Sequence, residues 1–221
     1  MKKWFFFLAF LHVLWSDNIT SIEKKIKQDY EAYYKNNALV IKGIKLLLDA
    51  SSQINEVRLE HIALEDEKFG GDGRVRIIFV FENKKYTHSI AYKIHGDLKV
   101  VFAKIGIKKS QDITKENTLI KTIPLGALQN SPIGLSDIDN ISAKIFIPSG
   151  GMIVNSLVAN KILIRKNDSF LAIYKEGNMQ IQLTLIAKQD GAKDAIIEAY
   201  NPESKKTLRV RVLSNAMGEI L

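Results

Sequence analysis

The sequence predicts a mainly β protein with some α-helix, and three patterns in the chain lead to this prediction. Isoleucine and tyrosine recur at three- and four-residue steps within residues 19–35, which is the period of an amphipathic helix. From residue 54 onward apolar and polar residues alternate with a period of two, as they do in half-buried strands. In the last fifty residues short strands recur between turn signals such as Asp190-Gly191, a spacing typical of a small barrel or sandwich.

The first sixteen residues have the pattern of an export signal. A basic start is followed by Trp4–Trp15, in which only His12 is polar, and then by the small residue Ser16. This apolar run is too short for a membrane span, which takes about 20 residues. We expect cleavage after Ser16, a periplasmic location and no stable membrane insertion afterwards. An uncleaved anchor remains the alternative.

Residues 17–108 are predicted to form an α+β unit in which one or two helices pack on an antiparallel sheet. After the helix in 19–35, residues 38–50 fit either a second helix or a strand–helix pair. The predicted strands are 57–62, 74–81, 86–94 and 99–107. Gly96-Asp97 is a hairpin signal between the last two.

The second half of the chain is predicted to be richer in strands. A polar stretch at 109–116 suggests a linker, with possible movement about 105–112. The strands that follow are predicted at 118–124, 144–147, 162–164, 170–174, 179–186, 195–200 and 207–213.

The charge balance argues against a nucleic-acid partner. Lys and Arg number 32 and Asp and Glu 24, a net charge of +8 that falls to +6 if Lys2 and Lys3 leave with the signal. Residues 17–108 and 109–221 each carry +3, and no basic run is longer than two residues. Nucleic-acid binders concentrate their positive charge on one face or in one run, so none is expected here.

The sequence predicts no catalytic, cofactor-binding or metal-binding residue. The absence of cysteine excludes a thiolate nucleophile, a disulfide and a lipoprotein anchor. His61, His88 and His95 have spacings that fit no metal motif. The acidic group around Glu65–Glu67 lacks the order of a calcium loop, and Gly70–Gly73 leads into a strand, unlike a phosphate loop.

Several apolar strand residues are assigned to the core, with a partner-binding patch as the alternative where they prove exposed. They are Ile77, Phe79, Phe81 and Phe102. The alternating residues Ile181, Leu183 and Leu185 are likewise assigned to a barrel interior in preference to an edge offered to a partner.

One block near the C-terminus, residues 187–206, resembles the flagellar P-ring assembly chaperones, periplasmic proteins of Gram-negative bacteria. The positions that match the family pattern are Ala187, Asp190, Gly191, Asp194, Ile196, Asn201, Ser204 and Lys206. The chain departs from the pattern at Lys193, where Gly is usual, and at Ala199, where Val is usual. Asp-Gly builds a tight turn and Asn or Ser satisfies backbone groups nearby, so we interpret the matching residues as structural.

Weaker likenesses extend the resemblance over residues 109–221. Residues 112–120, 135–138 and 147–153 resemble parts of the family's SAF (antifreeze-like) domain, and 163–170 resembles the start of its terminal barrel, with Asn167 in place of a usual Gly. The resemblance implies a SAF-like (β-clip) domain at 109–168 and a small C-terminal β-barrel at 169–221, after the α+β domain at 17–108.

The resemblance also implies a function. A member of this family is a chaperone, not an enzyme, with no cofactor. It binds the flagellar P-ring subunit, shields its sticky surface and promotes P-ring assembly around the rod of the basal body. We expect the contacts to come from the SAF-like and barrel strands. The sequence leaves the oligomeric state open.

Two alternatives stay open at this point. A SAF-type pilus-assembly protein would share the export signal and the β-rich C-terminal half, and it would typically keep a membrane anchor. A carbohydrate-binding module is the other, since antifreeze-like domains also accompany sialic acid synthases. Such a module would need a cleft with convergent polar and aromatic groups.

Overall fold

The computed structural model describes residues 18–49, 54–66, 68–177 and 179–221, and the expected export signal lies outside them. The predicted fold class is confirmed, because one helix is followed by strands throughout. Helix α1 is Asn18–Tyr33. The strands are β1 (Val40–Leu47), β2 (Arg58–Leu64), β3 (Asp72–Phe81), β4 (Lys84–Ala103), β5 (Thr118–Pro124), β6 (Ile141–Ala143), β7 (Val158–Asn160), β8 (Ile162–Ile164), β9 (Ser169–Glu176), β10 (Met179–Ala187), β11 (Gly191–Ala192), β12 (Ile196–Tyr200), β13 (Thr207–Ser214) and β14 (Met217–Ile220).

The strands form one open sheet, one closed barrel and two small ladders. The open sheet has the order β1-β4-β3-β2, with β5 also pairing with β4. The barrel has the order β10-β12-β13-β14-β9, and it closes through a parallel pairing of β14 with β9. The ladders join β6 to β7 and β8 to β11.

The chain packs as two compact units. The first unit runs to Leu98 and also includes Thr122–Gln129, whereas the second comprises Lys99–Lys121 and Asn130–Leu221. The domain boundaries expected at residues 108 and 168 stay a prediction. The stretch 105–112, expected to act as a linker, lies instead inside the second unit, where Ile107 is fully buried.

In the first unit, helix α1 packs against strands β1 and β2 through one apolar stripe. Ile22, Ile26 and Tyr30 lie four residues apart and are fully buried. The helical period of apolar residues seen in the sequence therefore marks the buried face of α1. Within the described part of this stretch, residues 38–49, strand β1 is the one regular element, so neither the second helix nor the strand–helix pair predicted at 38–50 is present there.

Tyr30 of α1 and Tyr34, the residue directly after α1, bind the connection between β2 and β3. The Tyr30 hydroxyl donates to the Gly70 carbonyl at 2.8 Å and lies 3.3 Å from the Tyr92 hydroxyl. The Tyr34 hydroxyl donates to the Phe69 carbonyl at 2.8 Å. Burial, together with the Tyr92 hydroxyl, raises the pKa of Tyr30 far above its ordinary value. The phenol therefore stays neutral and keeps its donor.

The hairpin predicted at Gly96-Asp97 is wrong, because β4 runs without a turn from Lys84 to Ala103. Gly96 pairs with Ile41 of β1 beside a β-bulge. A Cβ at Gly96 would lie 2.7 Å from the Val40 carbonyl oxygen and 3.1 Å from a Leu125 methyl carbon. The glycine permits a close approach of backbones, a use that its sequence context does not distinguish from a turn.

The second unit opens with an internal repeat, in which residues 101–120 and 141–160 fold alike about a pseudo-two-fold axis. Ile107 and Ile147 exchange both backbone hydrogen bonds at 2.9 Å. Equivalent bonds surround this pair on both sides: Ser110 N–H to the Ala143 carbonyl and Gly150 N–H to the Ala103 carbonyl, each 2.8 Å. Ser110 and Gly150 both have positive φ, at 62° and 77°.

The two repeats enclose one apolar core. Its fully or nearly fully buried members alternate along both copies of the repeat and continue into the connection between them. They are Val101, Ala103, Ile107, Ile113, Ile133, Ile138, Ile141, Ala143, Ile147, Ile153 and Val158. The barrel has a separate core that includes Phe170, Leu185, Ile197, Val210 and Val212.

Asp112 links the two repeats through a polar contact at the core's edge. One carboxylate oxygen accepts from the Ser142 hydroxyl at 2.7 Å, and the other lies 2.7 Å from the Lys161 ammonium. Partial burial opposes ionisation, but the hydrogen bonds from Lys161 and Ser142 outweigh it and hold the pKa of Asp112 below its usual value. Asp112 therefore favours folding in its charged form.

We expect Tyr30→Phe to lower the free energy of unfolding by about 1–2 kcal/mol, because the carbonyl of the half-buried Gly70 loses its donor. Urea denaturation followed by circular dichroism measures this. Tyr86→Phe is the matched control, since Tyr86 is 43% exposed and its loss of a hydroxyl should change little. Equal losses in the two variants would contradict the role assigned to the Tyr30 hydroxyl.

Asp112→Asn should lower stability at pH 7 by less than about 1 kcal/mol, since the pair with Lys161 is partly exposed and screened. A carboxylate whose pKa is lower in the folded state stabilises above its unfolded pKa, about 3.9, and loses this effect as pH falls through the folded value. The difference between wild type and variant should therefore be smaller at pH 3, below the unfolded pKa, than at pH 7. Urea titrations at both pH values test this, with Glu203→Gln as the exposed control. A difference as large at pH 3 as at pH 7 would overturn the assignment.

Candidate partner-binding surface

The most exposed apolar side chains of the repeat lie at equivalent positions of its two copies. Lys104-Ile105-Gly106 and Lys144-Ile145-Phe146 follow the buried residues Ala103 and Ala143. Ile105 and Ile145 are each 53% exposed, and Phe146 is 60% exposed. Large apolar residues at this exposure are not core, so the repeat presents them to solvent.

The aromatic ring of Phe146 lies against Gly106, its counterpart in the other repeat. A Cβ at Gly106 would be 3.2 Å from two ring carbons. Gly106 thus leaves room for the ring beside the Ile107–Ile147 pair. The two copies differ at this point because one supplies the ring and the other supplies the space.

Lysines lie close in sequence to these apolar side chains. Residues 101–110 and 141–150 contain four lysines and no aspartate or glutamate, and all four lysines are exposed. We call the combined apolar and basic surface the clip surface, and it comprises Lys104, Ile105, Lys108, Lys109, Lys144, Ile145 and Phe146. Its chemistry suits a partner surface that is apolar and carries acidic groups at its rim.

The first part of the family-like block, Ala187–Asp194, lies in the barrel and in the turns beside it. Ala187 is buried and exchanges backbone bonds with Asn167 and Asp168. The Asp190 carboxylate accepts from the Lys166 backbone N–H at 2.8 Å. Gly191 is buried, and a Cβ there would lie 2.7 Å from Val212.

The second part of the block forms a turn after β12. The side-chain oxygen of Asn201 accepts from the backbone N–H groups of Glu203 and Ser204, at 2.8 and 3.2 Å. The Asn201 N–H donates to the Lys206 carbonyl at 2.8 Å. Ile196, by contrast, is 44% exposed on the barrel surface. Apart from Ile196, these residues hold backbone in place; their interpretation as family-defining structural residues stays a prediction.

The departures from the family pattern coincide with specific backbone conformations. At the turn that includes Lys193, the residue with positive φ is its neighbour Asp194, at 64°. Position 193 therefore does not need the left-handed backbone conformation that favours glycine, and lysine can occupy it without strain. Asn167, which stands where Gly is usual, has φ of 71°, and asparagine tolerates this region better than most residues.

The structure shows which of the other apolar residues assigned to the core are buried. Ile77 is buried, and Phe79 and Phe102 are half-buried, but Phe81 is 47% exposed, so its assignment to the core is wrong. Phe81 lies at the end of β3, where the sheet extends to its hairpin with β4. Along β10, Leu185 is fully buried in the barrel, whereas Ile181 is 40% exposed and lies outside it.

Among the described residues, titratable groups line a larger and a smaller hollow. The larger, about 500 Å³, lies in the first unit and is lined by Lys42, Lys93, His95, Asp72 and Asp97, together with backbone of three glycines. Lys42 and Asp97 form an ion pair with each other at 2.5 Å. The charges therefore largely balance within the hollow, and they do not select a ligand of one sign.

The smaller hollow, about 250 Å³, lies in the second unit and is lined by Asn140, Asn160, Lys161, Leu163, Lys193 and Asp194. Lys161 is already paired with Asp112. His61, His88 and His95 are all exposed on β2 and β4. In the described ranges, no group of three or more His, Cys, Asp or Glu residues could hold a metal ion.

The sequence analysis missed the internal repeat, although a signal was present. The motif Ala-Lys-Ile-x-Ile occurs at 103–107 and again at 143–147, forty residues later. Outside these five positions the copies share few residues, so the repeat is visible only when the short motif is sought at a fixed spacing. Its recognition would have placed Ile105 and Ile145 at equivalent turns.

The fold is similar to solved flagellar proteins. A crystal structure of Salmonella FlgA in an open form is 12% identical, covers 93% of each chain and has a TM-score of 0.62. A closed form of Salmonella FlgA (12% identity, 90% of this chain and 98% of that chain) has a TM-score of 0.45, and Thermotoga maritima FlgA (14% identity, 91% and 72%) one of 0.44. The likeness in fold is taken from the first.

No curated protein matches the chain. No helix within the described ranges is long and apolar enough to cross a membrane. Family models, by contrast, match nearly all of the described chain. Residues 22–96 match the FlgA N-terminal domain. Residues 98–220, more than half of the sequence, match the model described as a chaperone for flagella basal body P-ring formation. The chain therefore belongs to the family of chaperones for flagella basal body P-ring formation.

Proposed function

We propose that this chaperone acts in the periplasm, binds the P-ring subunit directly and promotes its assembly around the flagellar rod. The observation that carries the proposal is the clip surface, where three apolar side chains more than half exposed stand among four lysines. A chaperone of assembly needs such a surface, because it must cover apolar groups that the subunit will later bury against its neighbours.

The mechanism follows from shielding. Burying Ile105, Ile145 and Phe146 against the subunit removes apolar area from water on both proteins, at roughly 25 cal/mol per Å². The lysines add attraction to acidic groups at the rim, which mainly speeds encounter and aligns the two surfaces. No bond is made or broken in this mechanism, and it needs no cofactor or catalytic residue.

The arrangement also permits release. Each copy of the repeat contributes a short turn, so the contact area is modest and the complex can dissociate when subunits meet one another. A chaperone that bound more tightly than the next subunit would stop assembly. The two short turns of the clip surface suit a transient contact.

We expect the pair of substitutions Ile145→Asp and Phe146→Asp to weaken binding of the P-ring subunit at least about tenfold, because one desolvated apolar side chain is worth about 1.5–3 kcal/mol. Crosslinking in flagellated cells, followed by mass spectrometry of the adducts, measures the loss. Swimming in soft agar should fall in parallel.

Val40→Asp is the matched control. Val40 is 58% exposed and lies on β1 in the first unit, away from the repeat in the chain. It should leave crosslinking and swimming unchanged, and thermal melts should show that all variants remain folded. Full crosslinking by the clip-surface variant, or an equal loss with Val40→Asp, would overturn the role proposed for the clip surface.

A further inference from the structure

The β9–β10 hairpin extends beyond the barrel that it helps to close. Strand β10 pairs with β9 along its whole length, from Met179 with Glu176 to Ile186 with Ser169. Its pairing with β12 on the other side covers only Ile186 and Ala187. The segment 179–185 therefore has one edge with no partner strand in the part of the chain that the structure describes.

The direction of the backbone groups shows which residues face that open edge. The Ala187 N–H donates toward β9, to the Asp168 carbonyl, whereas the Lys188 N–H donates toward β12, to the Glu198 carbonyl. Because successive strand residues point their backbone groups to opposite sides, the even-numbered residues point away from β9. The N–H and C=O groups of Gln180, Gln182 and Thr184 thus face the open edge.

Pairing with β12 stops for a local reason. In the register that joins Ile186 to Tyr200, Thr184 would face Pro202. Proline has no N–H to donate, and the chain turns at this point. The open edge is therefore built into the sequence of the neighbouring strand.

This edge lacks the features that usually prevent strand addition. Edge strands β1 and β2 each contain a β-bulge and charged residues such as Lys42 and Glu60, which discourage pairing with another chain. Strand β10 reads Met-Gln-Ile-Gln-Leu-Thr-Leu-Ile-Ala, with no charge, proline or glycine. Met179 is 52% and Ile181 40% exposed on one face of the strand.

We propose that this open edge pairs with the same edge of a second copy of the chain, in an antiparallel arrangement centred on Gln182. That register sets Gln182 opposite its own copy and Gln180 opposite Thr184 of the other copy, so all three edge residues take part. Ile181 then faces Leu183 of the other copy. Polar residues meet polar ones, apolar residues meet apolar ones, and no charges oppose.

The pairing is self-complementary, as a two-fold contact must be. Three residues from each copy make about six backbone hydrogen bonds, with Met179 and Ile181 covered on the apolar face. An interface of this size is small, so the dimer forms reversibly and its fraction rises with protein concentration. The proposal is independent of the P-ring subunit and is tested on the chain alone.

The chain has no cysteine, which makes disulfide trapping selective. Two residues that form a hydrogen-bonded antiparallel pair have Cα atoms about 5.5 Å apart, within the range of a disulfide. Gln182→Cys should therefore give a disulfide-linked dimer under mild oxidation. Gln180→Cys alone should give at least about tenfold less, because its opposite residue is Thr184, and the double variant with Thr184→Cys should restore the yield.

Sedimentation velocity of protein purified from the periplasm provides the second measurement. Wild type should show a dimer fraction that grows with concentration. Gln182→Pro removes an N–H that faces the open edge, so it should abolish the dimer while the melting temperature stays close to that of wild type. Ile181→Lys, which adds a charge to the edge, should have the same effect.

Each alternative outcome overturns the proposal. Wild type that remains monomeric at every concentration, with no more trapped dimer from Gln182→Cys than from Ser136→Cys, an exposed position outside the barrel, excludes self-pairing. Crosslinks from Gln182→Cys that appear only when the P-ring subunit is added would assign the edge to the subunit instead. Neither result would affect the clip surface, whose test uses different residues.

Discussion

The second unit depends on one pair of residues, Ile107 and Ile147, which exchange both of their backbone hydrogen bonds. This pair fixes the axis that relates residues 101–120 to 141–160. Because both side chains are buried beside it, the same pair joins the backbone pattern to the apolar core. The turns of the clip surface then project from both sides of this fixed pair. As a result, residues that are forty positions apart in sequence occupy equivalent places in the two repeats.

Much of this architecture can be predicted from the local pattern of apolar and polar residues. The predictions that failed did so because contacts between residues distant in sequence decided the outcome. The stripe of Ile22, Ile26 and Tyr30 identifies the helix because burial and helical period coincide there. The hairpin predicted at Gly96 was wrong because glycine occurs both in turns and where two backbones approach closely. The carbonyl of Val40, which is close in space but distant in sequence, decides between the two. The assignment of Phe81 to the core was wrong for a similar reason. Alternation of apolar and polar residues shows which side chains share one face of a strand, but it does not show how far along the strand that face is buried.

The candidate surface was harder to find than the fold. Ile105 and Ile145 look like core residues in sequence, because each lies two residues from a buried alanine and two from a buried isoleucine. Their exposure results from the bends at residues 104–105 and 144–145, which turn the chain directly after β4 and β6. The family-like block was easier to recognise, since Asn201 and Asp190 act on backbone within their own turns or the adjoining one. Partner-binding residues have no such local requirement.

The contact between Phe146 and Gly106 makes the two-fold repeat unequal where it meets solvent. A surface with true two-fold symmetry would accept a partner in two orientations, related by half a turn, with the same affinity. With a ring on one side of the axis and a glycine on the other, these orientations are no longer equivalent, and one of them is preferred. The repeat thus supplies rigidity through its symmetry, while the departure from symmetry gives the surface a direction. A ring is built from subunits that all face the same way, and the proposed binding of each subunit to a directional surface would present all of them in that one sense.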